Sequence, residues 1–456
     1  MAFNRAKSLS QLYDEVRDYE LVLVPDAPLA RGINRRLDEP RFGTFATTPR
    51  LLATGRREPT EDRVAFLAVI QETNHSWKAT AYAIGNILQC WEHQGHVESI
   101  LEYDEYADAT AEEVVEVMSE LRTTSKQLSS YSIEDDKSVA VVGLDQFTQL
   151  ERNILPAEYD TYELFTADSF DHPPFHIFDS STEIVESLLD TITAENAENV
   201  AVVLDSGSRY SSLVESALES ADIPFYGGPG FIDNSAHRGF LQLLRTGFRG
   251  SDTRVSDIKP LVAQLGVDVG IEDDEKRVAA IEGPAFEWLR NLYADLAELT
   301  FEEVLSEYES QLGRSLPQFR QELQQLGLAN EPVARSGVDD LAFYLQSYEV
   351  PIERDNEGVL LADAKSSGYV DRPVVFYLGL DEGWTHSAPQ RPWVDTEAQI
   401  DRYISQFQLL LQSGTDQYYL VEDTAGGQPV TPCLYFSELL DTEFERFSDL
   451  PSTDYT

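Results

Sequence analysis

The chain is poor in cysteine, methionine and lysine. Its 456 residues include two cysteines, two methionines and only seven lysines. Two cysteines exclude a disulfide-stapled scaffold. No apolar run approaches the roughly 18 residues that a membrane-spanning helix needs, and the first residues lack the apolar core and cleavage site of a secretory leader. We therefore expect a soluble, cytoplasmic protein that makes no contact with a membrane.

Acidic residues dominate the charge of the chain. The 81 Asp and Glu residues give a net charge of −47, and 42% of the residues are hydrophobic, which is too many for a disordered acidic tail. The acids are spread over the whole sequence, which favours a halophilic surface over an acidic face for one partner. At molar salt the Debye length falls to about 3 Å, so the negative charge does not exclude nucleic acid as a partner.

Five short apolar runs predict buried strands. They are rich in β-branched and aromatic residues and hardly alternate, as strands of a parallel sheet do. The runs are 20–25, 138–144, 200–205, 374–380 and 417–421. Helical periodicity is present at 112–128 and 397–412. The order predicts an α/β fold with two α/β units, each interrupted by a helical insertion, and a linker between the units at 172–176.

A phosphate-binding loop is missing from the sequence. None of the seven lysines follows a glycine, so the GxxxxGK[ST] pattern does not occur. The glycine-rich stretch 226–231 lacks GxGxxG spacing and predicts a turn. The strand at 138–144 ends in Asp145 and Gln146, where an ATPase would carry two acids, and an amide cannot act as a general base. The simplest interpretation of Asp145 is a cap of a helix that begins near Gln149.

Cys90, His93 and His96 have the composition of a metal site but not its spacing. On one helix they would spread over too much of the circumference to converge on an ion. We therefore predict no resident metal and no cofactor.

A second acidic group resembles the skeleton of a magnesium-dependent nuclease. Glu353 and Asp355 precede a strand that carries Asp363 and Lys365. In such enzymes the acids hold the metal, and the lysine steadies the attacking water or the phosphate. Asp-x-Lys is also common on an ordinary solvated strand edge.

Several segments, taken in order, resemble superfamily 1 helicases of the UvrD type, in particular the AddB-type subunit of helicase–nucleases. Segment 20–37 is similar to the strand and helix after the nucleotide loop, 139–156 to the Walker B region, 199–228 with 234–248 to the opening of the second motor domain, and 368–384 with 402–421 to its closing motifs. The resemblance implies two RecA-like parallel-sheet domains, 1A and 2A, with helical insertions 1B and 2B.

The resemblance also implies domain boundaries. Domain 1A would comprise 1–57 and 131–175, insertion 1B 58–130, domain 2A 176–235 and 347–456, and insertion 2B 236–346.

The chain departs from the catalytic residues of that family. The nucleotide loop is missing, and the Walker B pair is Asp145 and Gln146. Asp205 stands where the family has an arginine after the strand at 200–204. The arginine of the final motif would fall within 412–414, where this chain has the sequence QSG. An arginine finger alone is worth about 10³ to 10⁵ in rate. Because these residues are lost together, we predict that the chain has no catalytic residues and no cofactor-binding residues. Its two cysteines cannot form a four-cysteine iron–sulfur site. The resemblance does not extend to the family's carboxyl-terminal nuclease domain.

We expect a catalytically silent, helicase-like subunit in DNA repair or recombination that binds single-stranded DNA or an active helicase or nuclease subunit. The alternatives are a magnesium-dependent nuclease that uses Asp363 and Lys365, a weak ATPase with an unorthodox site, and an adaptor that binds a partner protein but no nucleic acid. These hypotheses differ in what fills the space before the strand at 20–25, and in whether the cleft between the units carries arginines or acids.

Overall fold

The structure is a computed structural model that describes residues 3–41, 43–55, 60–227, 234–267, 269–270, 273–348, 350, 357–387, 389–440 and 442–455. Parallel sheets and many helices in these ranges confirm the predicted α/β class. No helix in these ranges is both long and apolar enough to cross a membrane.

The first sheet is parallel and comes from the amino-terminal part of the chain. The strands of this part are β1 (Asn4–Ala6), β2 (Leu21–Leu23), β3 (Ala46–Thr47), β4 (Val139–Val142), β5 (Asp160–Tyr162) and β6 (Phe165–Ser169). The sheet has the order β3-β2-β4-β5. β1 lies outside it and pairs with β6 in an antiparallel ribbon.

The second sheet has seven strands, all parallel. The remaining strands are β7 (Phe175–Phe178), β8 (Val200–Leu204), β9 (Phe225–Gly227), β10 (Val359–Asp363), β11 (Val374–Leu378), β12 (Asp416–Glu422), β13 (Thr424–Ala425), β14 (Gln428–Pro429) and β15 (Ser452–Tyr455). The order of the sheet is β15-β7-β12-β11-β8-β10-β9. β13 and β14 form a small separate hairpin.

Helices connect the strands and form both insertions. Those before β7 are α1 (Leu9–Val16), α2 (Ala27–Asn34), α3 (Pro49–Thr54), α4 (Glu61–Glu72), α5 (Trp77–Gln94), α6 (Ala109–Glu120), α7 (Thr124–Ser130) and α8 (Gln149–Arg152). Those after β7 are α9 (Ser181–Thr191), α10 (Arg209–Ser220), α11 (Ser235–Gly247), α12 (Val255–Gln264), α13 (Pro284–Asp295), α14 (Phe301–Leu312), α15 (Pro317–Gln325), α16 (Arg335–Ser347), α17 (Thr396–Leu410) and α18 (Tyr435–Leu439).

Both sheets are buried on both faces, which explains why their central strands show no alternation. In the first sheet, Val22 points into a core with helices α1 and α2, whereas Leu23 points into a core with the insertions. In the second sheet, Tyr377 lies in the core shared with α17 and α18, and Phe376 in the core shared with α9 and α10.

The two helical insertions share one hydrophobic core with the first sheet. Phe66 of α4 stacks on Tyr344 of α16, with ring centroids 5.6 Å apart. Beside them Arg63 of α4 binds Glu322 of α15, with Nη2–Oε2 at 2.7 Å, and both side chains are nearly buried. Residues predicted as insertions 1B and 2B therefore pack directly against each other.

The central elements match the sequence predictions more closely than the peripheral ones. All five apolar runs contain strands, namely β2, β4, β8, β11 and β12, and 397–412 contains α17. The single helix predicted over 112–128 is wrong: the chain is extended at Leu121, and Thr123 caps the separate helix α7. The segment predicted as a linker contains the start of β7, and 228–231 of the predicted turn lies outside the described residues.

Candidate functional site

Helix α17 lies between the two sheets and forms the floor of the cleft that separates them. Ile404, Phe407 and Leu410 are buried in the core of the second sheet. Leu409 points the other way and is buried with α1, α2 and the first sheet. Because one helix contributes to both cores, the two α/β units cannot separate without exposing apolar surface.

Two glutamines of this region bind the backbone of β1. The amide Nε2 groups of Gln408 and Gln412 each donate to the carbonyl of Asn4 at 2.8 Å. The Gln412 Oε1 accepts from the Ala6 N–H at 2.7 Å. Gln408 of α17 and Gln412, just beyond the end of the helix, thereby satisfy main-chain groups of β1.

The positions predicted to have lost the final-motif arginine have structural roles. Gln412 makes the contact with β1, and the buried Ser413 Oγ accepts from the Val370 N–H at 3.0 Å. Gly414 has φ +83°, and a Cβ there would lie 2.7 Å from Val375 Cγ2. A side chain longer than hydrogen is excluded at Gly414 by both the backbone angle and this close approach.

Helix α1 precedes β2 in the chain and carries its own cap. Ser8 Oγ accepts from the Gln11 N–H at 3.2 Å, and Gln11 Oε1 accepts from the Ser8 N–H at 2.9 Å. This reciprocal pair satisfies donors that a helix start would otherwise offer to an anion. The ammonium of Lys7 is bound to the carboxylate of Glu15 at 2.7 Å.

Asp145 and Gln146 follow β4 and lie at the wall of the cleft. Gln146 is buried and its Nε2 donates to Asp145 Oδ2 at 2.9 Å, while its Oε1 has no hydrogen-bond partner among the described residues. The interpretation of Asp145 as a helix cap is wrong, because Thr148 caps α8 and forms a capping box with Glu151. Asp145 instead faces the cavity that lies above α17.

That cavity has a volume of about 600 Å³ and a lining that mixes apolar and polar surface. Its charged and ionisable lining residues are Asp145, Asp395 and Asp401, opposed by His93, Arg152 and Arg402. Three carboxylates therefore face two arginines and one histidine, so this cleft does not have the excess of arginine that would mark a phosphate channel.

Arg402 is the central cation of the cleft. Its Nη1 donates to Gln399 Oε1 at 3.3 Å and its Nη2 to the Phe147 carbonyl at 3.4 Å, both long bonds, and it forms no ion pair with a described residue. Burial lowers the pKa of Arg402. Burial and the Arg402 charge also lower the pKa of His93, so that side chain is held neutral.

Asp363 and Lys365 lie at the carboxyl ends of the second sheet. Asp363 ends β10, which pairs in parallel with β8 and β9 and forms no hairpin. Its carboxylate accepts from three backbone N–H groups, those of Ser206, Lys365 and Ser366. Lys365 Nζ lies 3.4 Å from Asp205 Oδ1, so both side chains are engaged in local structure.

Metal-ligand geometry is missing around these residues. No group of three His, Cys, Asp or Glu side chains among the described residues could hold an ion. Glu353 and Asp355 of the nuclease hypothesis lie outside the described residues. Cys90 is buried within α5, whereas His96 follows the left-handed Gly95 that ends the helix.

Sequence reasoning missed the role of α17. Gln408 and Gln412 are four residues apart, a spacing that puts two side chains on one side of a helix, and this is the signal that could have identified them as a pair, although α17 ends at Leu410. Their partners are backbone atoms some 400 positions earlier in the sequence, and no side-chain pattern marks such atoms.

Comparison with protein-family models and with curated proteins finds no match.

Proposed function

We propose that this chain is a non-catalytic, helicase-like subunit that acts as a scaffold in DNA repair or recombination. Its two α/β units correspond in this proposal to RecA-like domains 1A and 2A, and it binds single-stranded DNA or an active helicase or nuclease subunit. Both hypotheses, a DNA ligand and a protein ligand, share one physical premise: the protein binds its ligand without hydrolysing a nucleotide.

The observation that carries the proposal is that helix α17 is buried in the cores of both α/β units, with Phe407 in one and Leu409 in the other. Gln412 ties α17 to β1, the Ser8–Gln11 pair closes the start of α1, and Lys7 is neutralised by Glu15. These polar groups are already paired with protein. This supports a fixed scaffold more than a weak ATPase.

The charge on α11 supports nucleic acid as one ligand. The outward stripe of this helix and the turn after it consists of Ser235, Arg238, Gln242, Arg245 and Arg249. Arg249 pairs with Asp257 at 3.1 Å, but Arg238 and Arg245 are exposed and form no ion pair with a described residue. Arginines of this kind bind phosphodiester oxygens, and a partner-only adaptor gives no reason for them in so acidic a chain.

The nuclease alternative receives less support. Asp363 is bonded to backbone N–H groups and Lys365 to Asp205, as described above. A metal would have to displace these contacts before either side chain could act.

The test combines three readouts. Thermal unfolding of the purified chain with and without ATP and Mg²⁺ measures nucleotide binding. Anisotropy of a labelled single-stranded oligonucleotide, across a KCl series up to molar salt, where the Debye length falls to about 3 Å, measures DNA binding. Capture from an extract of the protein's own cells measures partner binding. We expect no nucleotide-dependent shift, together with either oligonucleotide binding or specific retention of a repair helicase or nuclease from the protein's own cells. A nucleotide-dependent shift with ATP turnover would overturn the proposal, and so would failure of both binding readouts.

A further inference from the structure

A second cavity, of about 710 Å³, lies between α5 and the segment that leads into α17. It is an open groove, and we call it the α5 groove. One wall carries Tyr82 and Gln89 of α5, with Gly85 between them, and the other carries Gln390 and Arg391. Tyr82 is 56% exposed, the largest exposure of any described tyrosine that is classed as an exposed hydrophobic side chain.

The α5 groove departs from the acidic character of the chain. None of its lining residues is acidic, and residues 73–91 contain no Asp or Glu although the chain has 81 of them. The lining charge comes from Arg391. The groove is therefore a neutral to basic surface on a protein of net charge −47.

Arg391 is held in a fixed orientation beside the exposed ring. Its guanidinium carbon lies 5.5 Å from the ring centroid of Tyr82 and 5.3 Å from that of Tyr106. Its Nη1 donates to the Tyr106 hydroxyl at 3.1 Å. A cation fixed against an aromatic ring keeps several N–H groups free in one plane, and such a group suits a phosphate oxygen.

We infer that the α5 groove is a base-stacking site for single-stranded nucleic acid. The free part of the Tyr82 ring would stack on a base, the amides of Gln89 and Gln390 offer donors and acceptors to its edge, and Arg391 faces the backbone. Stacking tolerates every base because each has a flat aromatic face. The inference rests on the nucleic-acid form of the proposed function and names where that ligand binds.

The experiment measures the affinity of the full chain for labelled single strands of deoxythymidine and of uridine, across a KCl series. Tyr82→Ala should weaken binding about 5- to 150-fold, the range found for loss of one stacked base. Because stacking is not an interaction between charges, the loss should persist at the highest salt. Tyr82→Phe keeps the ring and should retain most of the affinity, whereas Arg391→Gln should weaken binding mainly at low salt.

Tyr159→Ala is the matched control, because Tyr159 is also exposed, at 38%, and lies outside the groove. It should leave binding unchanged, and equal melting temperatures would show that all variants fold. If the wild type binds and Tyr82→Ala binds equally well, the groove is not the site, while the proposed function stands. If Tyr82→Ala removes only retention of a partner protein, the groove is a protein interface and the inference is overturned. If the wild type binds neither strand at any salt, the inference and the nucleic-acid form of the proposal both fail, whereas the nucleotide readout still tests the scaffold.

Discussion

Replacing Gln412 with alanine should free β1 from α17. The wild-type side chain accepts from the Ala6 N–H at 2.7 Å and donates to the Asn4 carbonyl at 2.8 Å. A hydrogen bond contributes about 1 kcal/mol net. The Asn4 carbonyl keeps its bond from Gln408, but the Ala6 N–H loses the side-chain acceptor that it has in the wild type. We expect the docking of β1 to weaken by about 2 kcal/mol.

Hydrogen exchange measures this loss directly. A decrease of about 2 kcal/mol in the free energy of local opening should speed amide exchange in β1 about 30-fold, which peptide-level mass spectrometry resolves. Gln417→Ala is the control, because the Gln417 amide donates only to the Gly414 carbonyl three residues away, at 3.3 Å. If exchange in β1 is the same in Gln412→Ala and the wild type, the α17 glutamines do not hold the two units together.

Three further predictions concern other parts of the fold. Glu322→Ala leaves the buried Arg63 without its carboxylate and should lower the free energy of unfolding, measured with a chemical denaturant, by about 3–5 kcal/mol. The double variant Arg63→Met/Glu322→Leu should recover most of that loss. Equal stability of the single and double variants would contradict a shared buried pair. Burial lowers the pKa of His93, so the unfolded chain binds a proton at this side chain more readily than the folded chain does. The stability of the fold should therefore fall as the pH drops below about 6.5. His93→Gln should flatten that part of a plot of melting temperature against pH. Asp363→Ala should lower the free energy of unfolding by about 1–3 kcal/mol, because backbone donors lose their acceptor. Neither Asp363→Ala nor Lys365→Ala should change cleavage of labelled DNA in Mg²⁺. Magnesium-dependent cleavage that either variant abolishes would favour the nuclease hypothesis.

The buried centre of the fold could be predicted from the sequence, and its edges could not. β4 and β8 are four and five residues long and fully buried. Because each strand is buried on both faces, its sequence is a continuous apolar run. β15 is exposed along its whole length, and β9 is short and partly exposed, so neither needs an apolar pattern. The prediction of one helix over 112–128 failed because periodicity does not register a cap such as Thr123.

The candidate site was predictable only where single residues carry its chemistry. Asp145 and Gln146 could be placed at the end of a strand because the strand itself was evident, and Asp145 does line the cleft. The glutamine contacts with β1 depend on backbone atoms, and the packing of Phe66 on Tyr344 depends on a shared core of two distant insertions. Both sets of contacts depend on how distant segments are placed in the tertiary structure, which the local spacing of residues does not predict.

The contacts around α17 and between the two units differ in how strongly salt acts on them. The ion pair of Arg35 with Asp371 also joins the units, but Arg35 is 56% exposed, and an exposed pair loses most of its attraction when ionic strength is high. The bonds from Gln408 and Gln412 involve neutral amides and backbone groups, so neither salt nor protonation alters their charge. Opening the cleft would break these bonds and expose Leu409, and without a nucleotide loop no bound phosphate compensates that cost. These neutral contacts therefore favour the closed arrangement even where salt screens the Arg35–Asp371 pair, as the proposed scaffold would require.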